Sequence, residues 1–306
     1  ATYNWNNAGS ENNWGTGAGG PFPNAAGDVG NIQVNFAAAP TINLNVPITV
    51  GALTLFDNAS TRFNILVAGN GGSLTFANGG STASLSKPVA WAAPTSGSAI
   101  TADVQLGDNL SASVAAVIHG DFPAPLRASF LSYIETLTIS GSISQGAGDR
   151  GLTKTGGGRL FLSGTNTYAG GTTATDGGVV FSNTSALPGT GLLTAAAGGY
   201  IGAGFAASQA NFIDKFDKAN TQGTISLNAA TSDPIDLTGF HANARLGGTI
   251  TYGGTITPQG DTYRFSGGGG FASSSYGGND VLTISSQLTD AAGPATRHLF
   301  VGAAAS

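Results

Sequence analysis

Gly151-Leu152-Thr153-Lys154-Thr155-Gly156-Gly157-Gly158-Arg159-Leu160-Phe161-Leu162-Ser163-Gly164-Thr165-Asn166-Thr167-Tyr168-Ala169-Gly170-Gly171-Thr172-Thr173 decides how the rest of the chain is read. It contains two short alternating segments joined by dense glycine, with a further strand over Gly178-Val179-Val180-Phe181. Side chains alternate across a strand, so Leu160 and Leu162 point one way and Arg159, Phe161 and Ser163 the other. Glycine fits corners where the backbone turns with positive φ or where no Cβ can be accommodated. Short strands with Gly and Asn corners are how one coil of a β-solenoid is written, and such coils stack on one another.

Working outward, the same grammar recurs. Ile32-Gln33-Val34-Asn35-Phe36, Ile42-Asn43-Leu44-Asn45-Val46, Leu53-Thr54-Leu55 and Leu74-Thr75-Phe76 alternate apolar with polar. Val114 to Ile118 is a more continuous apolar run. Downstream, Thr224-Ile225-Ser226-Leu227, Thr249-Ile250-Thr251-Tyr252, Tyr263-Arg264-Phe265 and Val281-Leu282-Thr283-Ile284 read as strands, and Leu299-Phe300-Val301-Gly302 as the start of another. Runs of this length with turn residues between them predict an all-β chain. Two stretches break the rhythm. Residues 119–135, with Phe122-Pro123-Ala124-Pro125, predict a protruding insertion. Ser208 to Ala219 predicts a short helix, capped by Ser208 and presenting Phe212, Ile213 and Phe216 on one face. The expected organisation is an N-terminal cap over 1–30, β-helix coils over 31–205 with the repeat at 151–180, and continuing coils over 206–306 with the helix near 208–219.

The 151–173 stretch resembles the autotransporter-associated β-strand repeat of bacterial passenger domains and large surface proteins. It departs from that repeat at Arg159 and Phe161, where the family usually has Thr, and at Val179-Val180, where it usually has Thr-Leu. Trp5, Trp14, Pro23 and Gly27-Asp28 resemble the family's N-terminal opening. Leu137-Thr138-Ile139-Ser140-Gly141-Ser142-Ile143 resembles the strand before the repeat. Asn211 to Phe216, Asp236 to Phe240, Gly254 to Pro258 and Tyr263 to Gly270 resemble the segment that follows it. The resemblance implies a right-handed parallel β-helix with one or two short helical or loop insertions. It also implies a secreted structural protein of the cell surface: a rigid stalk, or a subunit that assembles head to tail into fibres through unpaired strand edges. The expected partners are therefore copies of itself or the remainder of a larger surface protein.

Composition supports this class and removes others. Glycine numbers 49 among 306 residues and charged residues are only 9%, against ordinary shares of about 7% and about 25%. Outward strand positions must then carry Ser, Thr, Asn and Gln. Hydrophobic residues at 41%, in alternating runs, argue against disorder. With 16 acids, 11 bases and no basic run, the chain has no footprint for nucleic acid. No apolar segment reaches the 18 residues needed for a transmembrane helix. Cysteine is absent, which removes thiolate metal sites, and Ala1 fits the end left by a cleaved export signal.

No constellation in the sequence calls for a catalytic, cofactor or metal role. Asp103 or Asp108 with Asp121, Asp214 with Asp217, and Asp233 with Asp236 are the pairs that adjacent coils could bring to glycosidase distances. None sits in an acidic motif, and each reads better as a turn residue. His119, His241 and His298 lack metal-ligand spacing. Gly267 to Gly270 lacks the following Lys-Ser/Thr of a phosphate loop. The expected function is non-enzymatic. The candidate interaction surface is aromatic: Trp5, Trp14, Phe161, Tyr168, Phe181 and Phe300. The alternative function is an adhesin for glycans or host surfaces, for which Trp5, Trp14 and Trp91 are the stacking candidates; a carbohydrate-active enzyme ranks below both.

Overall fold

The computed structural model describes residues 1–7, 13–14, 20–34, 38–57, 64–88, 97–117, 133–266, 281–289 and 296–302. Among these there is no α-helix, and 17 strands join into one sheet. The chain is a parallel β-helix. Its longest ladder runs through Thr2–Asn4, Thr41–Leu44, Leu66–Gly69, Ser98–Ile100, Thr136–Ile139 and Arg159–Leu162. It continues through the second halves of Thr172–Phe181 and Leu193–Ala203, then Thr224–Leu227, Arg245–Gly248, Thr262–Phe265 and His298–Val301. Every one of these pairings is parallel, and eleven steps of about 4.8 Å give a column about 50 Å long.

A second ladder stacks Val29–Val34, Ala52–Asp57, Ala83–Lys87, Leu110–Val114, Leu152–Thr155 and the first halves of the two long strands. A third, shorter one stacks Ile48–Val50, Leu74–Phe76, Val104–Leu106 and Ile143–Gln145. The first two ladders merge into one sheet because Thr172–Phe181 and Leu193–Ala203 pass around the corner without breaking. The register shifts between Ala174 and Asp176, and Gly177 turns the corner at φ +59°. A Cβ on Gly177 would lie 2.3 Å from the Gly158 carbonyl oxygen of the rung below, so only glycine fits there.

Alternation fixes which residues go inside. Ile42, Val67, Ile100, Ile139, Leu162, Phe181, Ala203 and Leu227 form one buried column along the long ladder. Leu137, Leu160, Val179, Ile201, Ile225, Leu246 and Phe265 form the next. The expected outward and inward sides of Arg159–Leu162 hold for both leucines.

Where the third ladder ends, bulky side chains replace strands. Tyr168 is fully buried, its hydroxyl 2.5 Å from that of Thr172. Further along, Phe205, Phe212, Phe216 and Phe240 pack ring against ring at centroid distances of 5.1 to 6.0 Å. The helix expected over 208–219 is instead a set of turns around one 3-10 turn, Ile213–Lys215. Asn211 and Ser208 do hydrogen-bond each other as a cap would, but the chain then turns away to carry Phe212 and Phe216 into the core. The expected insertion at 119–135 lies mostly outside the described residues. Its base is an antiparallel pair, Ala116–Val117 with Tyr133–Ile134, beside a buried ion pair of Lys87 with Glu135 at 3.0 Å.

Candidate functional site

The corners between coils are held by side chains that satisfy the backbone of a neighbouring rung. Asp108 is buried, and its carboxylate accepts the N–H groups of Asn78 and Gly80 at 2.7 and 3.1 Å. Those bonds hold its pKa below the ordinary carboxylate value, with Arg150 3.7 Å away adding to the effect. Asn109 accepts the N–H of Gly151, and Asn166 links three rungs, accepting from Ile143 and donating to Ala186. Each removes a backbone group from the orphan list that every turn of a solenoid creates.

Lys154 is the least expected of these. It stands in the inward column between Ala112 and Ala174, fully buried. Its ammonium donates to the carbonyls of Thr155, Gly156 and Asp176, the last one rung away. Burial pushes its pKa down to about 7, and the Asp176 carboxylate opposes that shift. The sequence carried the signal, since Lys154 shares its side of the strand with Leu152.

The aromatic residues singled out from the sequence are not brought together. Trp5 is buried over the first coil, its indole N–H donating to the Pro23 carbonyl, and Trp14 leans on it at 4.8 Å between ring centroids. Tyr168 and Phe181 are fully buried core residues: Phe181 falls on an inward column of the long ladder, and Tyr168 fills the interior beyond the third ladder. These three are corrected from surface to interior. Phe161 is half-buried on the outer side. Phe300 is exposed, with the Arg245 guanidinium 5.7 Å from its ring centre. Trp91 lies outside the described residues.

Four of the aspartates named from the sequence pairs bond to neighbouring groups. Asp103 accepts the Ser142 N–H, Asp214 accepts from Gln209 and Lys218, Asp217 from Asn220, and Asp236 from the Thr238 N–H. Among the described residues no group of three His, Asp or Glu side chains could hold a metal. His241 accepts the Asn243 N–H, and His298 lies 3.9 Å from Asp261. Asp121, His119 and Gly267 to Gly270 lie outside the described residues.

What the geometry defines is a stacked β-helix poor in charged residues. At the start, Trp5 and Trp14 cover the first rung. At the other end, Leu299 and Val301 pair in register with the buried Tyr263 and Phe265 yet are 60% and 71% exposed. The class is a parallel β-helical solenoid. Its middle, residues 152–180, matches the family model described as the passenger-associated-transport-repeat. That match agrees with the autotransporter-repeat resemblance of 151–173, and it points to the passenger region of an exported surface protein. No curated protein and no solved structure matches the chain. No helix among the described residues is long and apolar enough to cross a membrane.

Proposed function

We propose that this chain is a rigid β-helical stalk module of an exported cell-surface protein, with a structural rather than catalytic role. The supporting observation is the parallel ladder from Thr2 to Val301, in which the same inward columns continue from rung to rung. A column of this kind resists bending because each rung is hydrogen-bonded along its length to the next.

Head-to-tail assembly of copies through strand edges stays as the alternative, and the test below separates it from the single stalk. Of the three stacking candidates for the adhesin alternative, Trp5 is buried, Trp14 is partly exposed and Trp91 lies outside the described residues.

Negative-stain electron microscopy over a concentration series tests this reading. Discrete particles of one length at every concentration are expected. Uniform filaments that lengthen with concentration would overturn the stalk and restore the fibre.

A further inference from the structure

The second ladder carries an ordered array of hydroxyl groups on its outer face. One column runs Ser84, Ser111, Thr153, Thr173 and Thr194, each in register with the next. Beside it run Thr54, Ser86, Ser113 and Thr155, also in register. Ser84 is exposed and the other eight residues are partly exposed, while their strand neighbours Leu53, Leu85, Ala112, Lys154, Ala174 and Ala195 are buried. Among the described residues none of the nine hydroxyls has a hydrogen-bond partner, whereas the hydroxyl of the next candidate, Thr175, turns back onto the Lys154 carbonyl. Only Thr153, Thr155 and Thr173 lie within the matched repeat, so the pattern extends beyond what that repeat imposes.

Rungs repeat every ~4.8 Å, and residues two apart on a strand are separated by ~6.6 Å. The hydroxyls therefore form a nearly rectangular grid held by the backbone ladder. Threonine adds stiffness, since branching at Cβ restricts χ1. Each hydroxyl both donates and accepts, and each can hold one ordered water outside the sheet. No position of the two columns bears a charge or an aromatic ring. A charged ligand finds no counter-charge within the columns, and the partly exposed ring of Phe56 stands beside Thr54 at the edge of the face, whereas a flat lattice of water needs neither charge nor ring. The oxygen repeats on faces of ice lie close to this grid.

We propose that this hydroxyl face binds the surface of ice through a layer of ordered water, independently of the stalk reading. The test is ice-crystal morphology and thermal hysteresis of the purified 306-residue chain in a nanolitre osmometer. Faceted crystals and a measurable hysteresis gap are expected. Thr153→Lys with Thr173→Lys should abolish both, with the circular dichroism spectrum unchanged, because these side chains point outward. Thr138→Lys, outward on the long ladder, should leave them intact, and Ser84→Thr with Ser111→Thr should widen the gap. Round, unshaped ice discs from folded protein would overturn the proposal. So would retention of microcrystalline cellulose binding without hysteresis, which would assign the face to a neutral glycan, or a dimer that the two lysines dissociate, which would assign it to a second copy.

Discussion

Lys154 is where the β-helix departs furthest from a plain apolar core, and its chemistry gives a sharp residue-scale prediction. The folded chain releases the Lys154 proton near pH 7, whereas the unfolded chain holds it to the ordinary value of 10.5. Between those values the unfolded state binds more protons, so this residue makes stability rise as pH increases from 7 towards 10. Lys154→Met removes that rise. It also leaves three corner carbonyls without their donor, which costs about 2 kcal/mol. Thermal melts of both proteins at pH 6 and pH 9.5 check this: the wild type should gain on the variant at pH 9.5 and lose ground to it at pH 6, where the buried lysine must carry its charge. A difference that does not change with pH would mean the lysine keeps its charge in the folded state throughout. The inward position of Lys154 was legible from its two-residue spacing to Leu152. Its partners were not, because the Asp176 carbonyl comes from a neighbouring rung that only the fold brings near.

At the scale of elements, the strands were the most legible part. Ile42, Leu44, Leu53, Leu55, Leu74, Phe76, Leu160 and Leu162 alternate cleanly, and all are buried where alternation put them. Ser208 to Ala219 misled for a physical reason. Phe212 and Phe216 are four residues apart, a spacing that suits a helix face, but in a solenoid the same spacing serves two corners of one turn. The pair meets edge to face at 5.1 Å inside the coil, and Phe205 meets Phe212 at 5.8 Å. Tyr168 and Phe181 were misplaced on the surface beside Phe161, whereas Phe181 falls on an inward column and Tyr168 fills interior volume left where the third ladder ends at Ile143–Gln145. Phe212→Ala should cost about 3–5 kcal/mol, the range for truncating a buried Phe. Urea unfolding monitored by circular dichroism measures it. A cost under about 1 kcal/mol would show that the ring cluster is not part of the cooperative core.

For the whole molecule, the account rests on continuity: among the described residues 17 strands, most of them only two to six residues long, join into one sheet because each coil returns to the same ladder. Coil lengths vary, from the 19 residues between Leu162 and Phe181 to the 39 between Ile100 and Ile139, yet the register on the long ladder is kept. The absence of cysteine makes this directly measurable, since spin labels can be attached at introduced cysteines alone. Thr41 and Arg264 sit about nine rungs apart on the long ladder, so labels on Thr41→Cys and Arg264→Cys should be separated by about 40 Å with a narrow distribution in a pulsed electron–electron resonance measurement. A broad distribution, or a mean below about 25 Å, would contradict a single continuous β-helix and with it the stalk.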